Sequence, residues 1–197
     1  MDKYIITISR QFGSMGRSIA QKLSDILGIV FLDRDLVEMT SKRMGLPVSM
    51  ISNEEEAVKA GFFGRMYPLG VGVPNLKDEI FEVQSNIIKD YVKKESCIIV
   101  GRCAEYVLRD EPNLLNVYIY APYNERLKNC INYLGMDEKD AKRIIKEVDT
   151  ARENYHKMYV PKYSSPFDNR DICINSSKYG INGTAEIIAR IINEKMN

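Results

Sequence analysis

The sequence predicts an α/β domain of three layers, in which helices cover both faces of a five-stranded, mostly parallel sheet. Five short apolar segments have the composition of strands, and several are apolar without interruption, as in strands that are buried on both faces. Helical patterns lie between these segments, and this alternation is typical of a parallel sheet. The length of 197 residues, 45% of them hydrophobic, is that of one globular domain.

The elements follow from local pattern. Strands are predicted over residues 4–9, 29–32, 97–100, 116–121 and 171–175. Apolar residues recur at helical spacing over residues 16–27, 76–94, 124–134, 137–159 and 184–196. Gly28 is predicted to end the first helix, and Thr184 is predicted to cap the last one. Residues 61–74 hold four glycines and two prolines and predict a loop, so we expect residues 35–94 to form a substrate-binding insertion within a single domain 1–197.

Composition excludes several classes of function. The formal net charge of +1 argues against binding to nucleic acid or to an anionic membrane surface. The sequence shows neither a signal-like N-terminus nor an apolar run near the ~20 residues that span a bilayer. The four cysteines form no CxxC pair and no cluster with zinc-ligand spacing, and Cys97 and Cys173 lie in apolar runs that predict burial. We therefore expect reduced thiols and a cytoplasmic protein.

The segment TISRQFGSMGRSIAQKL places glycines between the first predicted strand and the first predicted helix. Backbone N–H groups and the helix dipole favour a phosphate at such a position. Against the pattern GxxxxGK followed by serine or threonine, Gly16 and Ser18 match, whereas Gln11 replaces the first glycine and Arg17 replaces the lysine. A guanidinium can bind two phosphate oxygens at once, and Arg10 adds a second cation, so we interpret the segment as a modified phosphate loop. The alternative is a plain strand–turn–helix with solvated arginines.

Four segments, in chain order, carry a resemblance to a known family. They are ITISRQFGSMGRSIAQKLSDILGIVFLDRDLV, IIVGRCAEYVL, the helix around residues 149–152, and DICINSS. Together they resemble the cytidylate kinase-like family, which belongs to the P-loop nucleoside monophosphate kinases. The resemblance covers nearly the whole chain and is weakest over residues 44–74. It implies a P-loop NTPase-like fold with an inserted monophosphate-binding region and a lid over residues 137–165, and it implies that ATP phosphorylates CMP or dCMP with Mg²⁺.

The resemblance also implies site residues. Asp33 would lie near the acceptor nucleotide, Arg102 would grip the acceptor's phosphate, and Arg152 would cover the transferring phosphoryl group from the lid helix. The ATP phosphates would lie on Gly13, Ser14, Met15, Gly16, Arg17 and Ser18. From the residues alone, Asp33 is equally suited to cap the following helix. The position of Arg102 after a buried strand favours ligand binding, and the alternative is a salt bridge with Glu105 at the surface.

Phosphoryl transfer depends on positioning and on neutralising charge, for which arginines are suited. We expect Arg17, Arg102 and Arg152 to act in catalysis, and Arg126 to bind substrate together with Asp33, Arg102 and Arg152. Ser18 is the best candidate for a direct magnesium ligand, because Mg²⁺ prefers oxygen.

The helix over residues 137–159 carries three polar side chains at related positions. Asp149, Arg152 and His156 are spaced to share one helix face, where Asp149 could hold Arg152 in position. The alternative for residues 137–157 is a solvated, charged helix without a role in the site.

Departures from the family pattern keep two other functions open. Cytidylate kinases typically have aspartates where Val100 and Cys103 stand, and the lysine of the phosphate loop is replaced by Arg17. The protein could therefore bind nucleotide without catalysis, as a sensor or partner-binding module. It could also be a kinase of another small acceptor.

Overall fold

The computed structural model describes residues 3–55 and 76–195 of the chain. At its centre is a sheet of five parallel strands in the order β2-β3-β1-β4-β5, which confirms the predicted fold class. The strands are β1 (Ile5–Arg10), β2 (Val30–Leu32), β3 (Cys97–Val100), β4 (Leu114–Tyr120) and β5 (Ile172–Asn175). Only their ends differ from the prediction, by one or two residues.

Eight helices are described, and they lie on both faces of the sheet. They are α1 (Gly16–Leu27), α2 (Arg34–Met44), α3 (Val48–Glu55), α4 (Leu76–Val92), α5 (Ala104–Val107), α6 (Tyr123–Asn132), α7 (Glu138–Tyr159) and α8 (Ser176–Lys195). Gly28 ends α1 as predicted, with a φ of 64° and an N–H that bonds to the Ser24 carbonyl. The predicted cap at Thr184 is wrong, because α8 begins earlier and kinks at Gly180. Thr184 is buried inside α8, and its hydroxyl donates to the Gly180 carbonyl at 2.6 Å.

Two apolar layers hold the sheet between the helices. On one face, α1 and α8 pack on alternate residues of the strands, including Ile6, Ile98 and Val117. On the other face, helices α2, α4 and α5 pack on a second set that includes Ile5 and Cys97. Strand residues of the central strands therefore meet apolar side chains on both faces of the sheet, as continuously apolar strands require.

The prediction that Cys173 is buried is wrong, whereas that for Cys97 is confirmed. Cys173 lies in β5, an edge strand whose neighbouring residues Ile172 and Ile174 point to the layer of α1 and α8. The alternation of side chains along a strand turns Cys173 to the opposite, less covered side.

Part of the predicted substrate-binding insertion is described. Helices α2, α3 and α4 share a small apolar cluster of Val37, Ile51 and Ile80. The loop predicted over residues 61–74 lies outside the described residues. Within residues 3–55 and 76–195, no helix combines the length and apolar character that crossing a membrane requires.

The strand order determines where a ligand can bind. Strand β1 lies between β3 and β4, so the segments that follow β1 and β3 leave the sheet side by side. They leave at its carboxyl edge, the edge where ligands bind in open α/β sheets.

Candidate phosphate-binding site at the carboxyl edge of the sheet

Residues 11–15 connect β1 to α1, and the segment predicted to bind phosphate begins here and continues to Ser18 in the first turn of α1. The backbone is left-handed at Gly13, with a φ of 75°, and at Met15, with a φ of 62°. A Cβ at Gly13 would lie 2.8 Å from the carbonyl oxygen of Arg126 and 3.0 Å from the sulfur of Cys130. Backbone conformation and close packing on α6 therefore both require glycine at position 13.

Side chains of α6 and α8 bind three successive carbonyl groups of the loop. Arg126 Nη1 donates to the Phe12 carbonyl at 3.1 Å, and Asn129 Nδ2 donates to the Gly13 carbonyl at 2.8 Å. The hydroxyl of Ser176 donates to the Ser14 carbonyl at 2.8 Å. These contacts fix the orientation of the loop's peptide groups.

Helix α1 begins directly after the loop without a side-chain cap. Its N-cap residue, Met15, makes no capping hydrogen bond through its side chain. The first-turn N–H groups have no acceptor within the helix. A fixed loop followed by an uncapped helix start is an arrangement that binds phosphate.

The side chain of Arg10, at the end of β1, lies in a slot between two glycines. A Cβ at Gly16 would lie 2.7 Å from the Cβ of Arg10, and a Cβ at Gly101 would lie 2.5 Å from its Nη1. The φ of Gly101 is 79°, so this position favours glycine for its backbone as well. The sequence indicated only a cation at a strand end, since the two glycines are far apart along the chain.

Four arginines gather at this edge, and we call Arg10, Arg17, Arg102 and Arg152 the arginine cluster. Burial lowers the pKa of Arg10 well below its usual range, and the positive charge of Arg152 lowers it further, as do those of Arg102 and Arg17. Asp33 acts in the opposite direction and raises this pKa. Three neighbouring cations and one acid thus act on Arg10, and a bound anion would favour its charged form.

Arg17 and Asp33 form an ion pair beside the loop. Arg17 Nε donates to Asp33 Oδ2 at 2.6 Å, and Arg10 Nη2 lies 4.0 Å from Asp33 Oδ1. Asp33 occupies the N-cap position of α2 but makes no side-chain cap, so its carboxylate binds arginine instead. The side chain of Arg17 is 58% exposed and remains accessible to a ligand.

The predicted polar face of α7 points at the carboxyl edge. Asp149 accepts a hydrogen bond from the Phe12 N–H at 2.7 Å, and Arg152 Nη1 donates to the Arg10 carbonyl at 3.0 Å. His156, one turn further along, reaches α5. In this structure α7 is therefore docked against the site rather than solvated along that face.

The expected roles of Asp149 and Arg126 change with their observed contacts. Asp149 Oδ2 accepts from Arg126 Nη1 at 2.5 Å, so Arg126 is the guanidinium that it orients, where we expected Arg152. Arg126 is 8% exposed and also binds the Phe12 carbonyl. Its contacts are to the loop that would hold the phosphates.

A buried carboxylate, Glu105, joins α5 to α7. Its Oε1 lies 2.9 Å from His156 Nε2 and accepts from Arg170 Nη2 at 3.1 Å, so its ion-pair partner is Arg170, where the surface alternative had Arg102. Burial raises the pKa of Glu105, but the hydrogen bond to His156 and the charge of Arg170 outweigh it and lower the pKa to about 2. No local pattern indicates this network, because Glu105 is 51 residues from His156 and 65 from Arg170.

Cys103 lies close enough to Glu105 and His156 for the three side chains to suggest a metal site. Ligand atoms of Cys103, Glu105 and His156 lie within 4.8 Å of one another. Arg170 already neutralises Glu105, and burial raises the pKa of Cys103, which disfavours the thiolate. Mg²⁺ prefers oxygen ligands, so this set does not fit it, whereas the hydroxyl of Ser18 in the first turn of α1 does.

Solved structures share this fold. A crystal structure of an uncharacterized protein from Eubacterium ventriosum is 27% identical, with a TM-score of 0.72 over 97% of this chain and 99% of that one. Shikimate kinase from Acinetobacter baumannii is 12% identical, with a TM-score of 0.54 over 98% and 94% of the two chains. Shikimate kinase from Bacteroides thetaiotaomicron is 11% identical, with a TM-score of 0.55 over 96% and 98%.

Sequence comparison identifies the family. No curated protein sequence matches the chain. The cytidylate kinase-like family matches residues 5–178, which include the loop, the arginine cluster and α7. The chain therefore has a kinase-like P-loop fold and belongs to the cytidylate kinase-like family.

Proposed function

We propose that the protein is an ATP-dependent kinase that phosphorylates CMP or dCMP. The observation that carries the proposal is the arginine cluster beside an uncapped helix start, where burial and neighbouring cations lower the pKa of Arg10. Such a site suits the several phosphate charges that meet during phosphoryl transfer. Family membership supports the reaction class, and the name of the family supports the acceptor.

Within this proposal, the residues of the site have distinct tasks. Gly13, Ser14, Met15, Gly16, Arg17 and Ser18 would bind the ATP phosphates through their N–H groups and side chains. Asp33 would orient Arg17 through its Nε and leave the Nη atoms for phosphate. Arg102 and Arg152 would neutralise charge at the transferred group, together with Arg10, which the sequence indicated only as a second cation beside the loop. Magnesium, when bound, supplies further neutralisation of phosphate charge, and Ser18 would hold it.

The observed contacts change the roles that we assign to Arg126 and Asp33. We now propose that Arg126 shapes the loop and does not touch substrate, because its side chain is buried against Phe12 and Asp149. We keep Asp33 near the acceptor, with the added task of holding Arg17. The predicted cytoplasmic location fits four cysteines that are all free thiols.

The proposed acceptor follows from the family rather than from the fold. Shikimate kinases share the fold at low identity, so the fold alone does not select a nucleotide acceptor. A coupled ADP-release assay with ATP and Mg²⁺ should compare CMP, dCMP, UMP, AMP, GMP and shikimate. We expect turnover with CMP or dCMP. Turnover with only one of the other acceptors would reassign the substrate. If no acceptor supports turnover but calorimetry shows that ATP binds, a nucleotide-binding sensor would be favoured.

Arg17 provides a direct test of the modified loop. Arg17→Ala should lower kcat/KM by about 10²-fold or more, the usual cost of losing one preorganised donor to the reacting group. Arg17→Lys should retain more activity, because it keeps the charge. Arg143→Ala is the matched control, since Arg143 is an exposed arginine of α7 that pairs with Asp140 and Glu147. Equal activity of Arg17→Ala and the parent would exclude Arg17 from the site.

A further inference from the structure

Phe12 is held at both of its flanking peptide groups by one ion pair. Its N–H donates to Asp149 Oδ1 at 2.7 Å, and its carbonyl accepts from Arg126 Nη1 at 3.1 Å. The same Nη1 lies 2.5 Å from Asp149 Oδ2. We call this arrangement of Phe12, Arg126 and Asp149 the Phe12 clamp.

The clamp is buried and closely packed. The Arg126 side chain is 10% exposed, and its buried Nε has no hydrogen-bond partner among the described residues. The next residue of the loop, Gly13, lies so close to the Arg126 carbonyl that no side chain fits there. The clamp therefore depends on Asp149 to neutralise a buried guanidinium.

The two halves of the clamp come from different helices. Arg126 lies in α6, which packs against the first half of α7 through Cys130, Ala141 and Ile145. Asp149 lies further along α7, one turn before Arg152, which reaches the end of β1. A displacement of α7 would therefore withdraw an arginine of the cluster and release the Phe12 N–H at the same time.

We propose that Asp149 and Arg126 are positioning residues that couple the docking of α7 to the conformation of the phosphate loop. With α7 docked, the clamp orients the two peptide groups on either side of Phe12, and the loop has the shape that binds the ATP phosphates. With α7 displaced, the loop loses this support and its affinity for ATP falls. The proposal rests on the proposed function for the identity of its ligand, ATP. The coupling between α7 and the loop also exists in the protein without ATP, where it can be measured separately.

The test uses three variants of the full chain. Asp149→Ala removes the two contacts that Asp149 makes in the clamp, whereas Asp149→Asn keeps an acceptor for the Phe12 N–H and loses the charge that binds Arg126. Glu147→Gln is the matched control, because Glu147 lies on the same helix and pairs with Arg143 at the surface. Circular dichroism would verify that each variant is folded.

Hydrogen exchange measures the coupling without any need for turnover. Asp149→Ala should speed exchange of the Phe12 amide by about tenfold or more, since a hydrogen bond to a charged group is lost. Asp149→Asn should give a smaller increase, and Glu147→Gln should match the parent. Unchanged exchange at Phe12 in Asp149→Ala would overturn the coupling, whether or not the protein is a kinase.

Binding and kinetics then test the consequence for ATP. Calorimetry with ATP should show affinity about tenfold weaker in Asp149→Ala. In the active enzyme the KM for ATP should rise by a similar factor, while the KM for the acceptor changes less than twofold. Equal changes in both KM values, or faster exchange with unaltered ATP affinity, would refute a positioning role for the clamp. A parent protein that binds no ATP would contradict the proposed function, while the exchange result would still decide the coupling.

Discussion

The buried carboxylate of Glu105 provides the sharpest test of how the site is held together. Glu105 is 7% exposed and lies between His156 and Arg170, whose side chain is 2% exposed. Glu105→Gln keeps the shape of the side chain but removes its charge. The guanidinium of Arg170 would then remain buried without its counter-ion, which is the costly way to break a buried ion pair.

The structure gives the size of the effect. The pKa of Glu105 falls from an ordinary 4.5 to about 2, because the hydrogen bond to His156 and the charge of Arg170 outweigh the opposing effect of burial. At about 1.4 kcal/mol for each unit by which the pKa differs, this difference corresponds to about 3 kcal/mol of stability. Breaking a buried pair by removing one partner costs ~3–5 kcal/mol in other proteins. We expect Glu105→Gln to lower the free energy of unfolding by about 3 kcal/mol at pH 7.

Urea unfolding of the parent and of Glu105→Gln, monitored by circular dichroism, measures this difference. Because the pKa of Glu105 is lower in the folded state, its stabilisation is present above about pH 4.5 and is lost as the pH falls toward 2. The gap between the two proteins should therefore narrow over that range. Glu153→Gln is the control, since Glu153 pairs with Lys157 at the surface. A loss below ~1 kcal/mol at pH 7, or a gap independent of pH, would refute the reasoning.

Two further changes test the loop and the exposed edge of the sheet. Gly13→Ala places a methyl group 2.8 Å from the Arg126 carbonyl oxygen at a φ of 75°. We expect the free energy of unfolding to fall by about 2 kcal/mol, measured by thermal unfolding, and ATP to bind more weakly in calorimetry. An unaltered melting temperature would contradict the close packing of the loop on α6. Cys173 is exposed whereas Cys97, Cys103 and Cys130 are buried. A thiol reagent should therefore modify Cys173 first in the native protein and the other three only on unfolding, as peptide mass spectrometry would show; early modification of Cys103 would contradict the packing around α5.

Features set by neighbouring residues were predictable from the sequence. Short, mainly apolar segments, several of them uninterrupted, located all five strands, and helical spacing with Gly28 predicted both ends of α1. The face shared by Asp149, Arg152 and His156 also follows from spacing alone, and the structure shows each side chain reaching the carboxyl edge.

Features that depend on contacts across the chain were not predictable. Spacing within α7 suggested Arg152 as the partner of Asp149, but the packing of α6 brings Arg126 to that carboxylate. Glu105 and Arg170 are 65 residues apart, so no local pattern joins them. The slot for Arg10 depends on the absence of side chains at Gly16 and Gly101, which meet only in the folded sheet. Cys173 lies in an apolar run, but the position of β5 at the edge exposes it.

The central position of β1 has a consequence for synthesis of the chain. Ile5 of β1 pairs with Cys97 on one side and Leu114 on the other, so neither neighbouring strand exists when β1 leaves the ribosome. Until β3 and β4 have been synthesised, Ile6 and Ile8, which are fully buried in the folded domain, have no neighbouring strand to pair with. Contacts this distant in sequence slow folding, and an unpaired apolar strand is prone to aggregation. A nascent chain that ends before β3 should therefore bind chaperones, and the chaperones should dissociate once β4 has been synthesised.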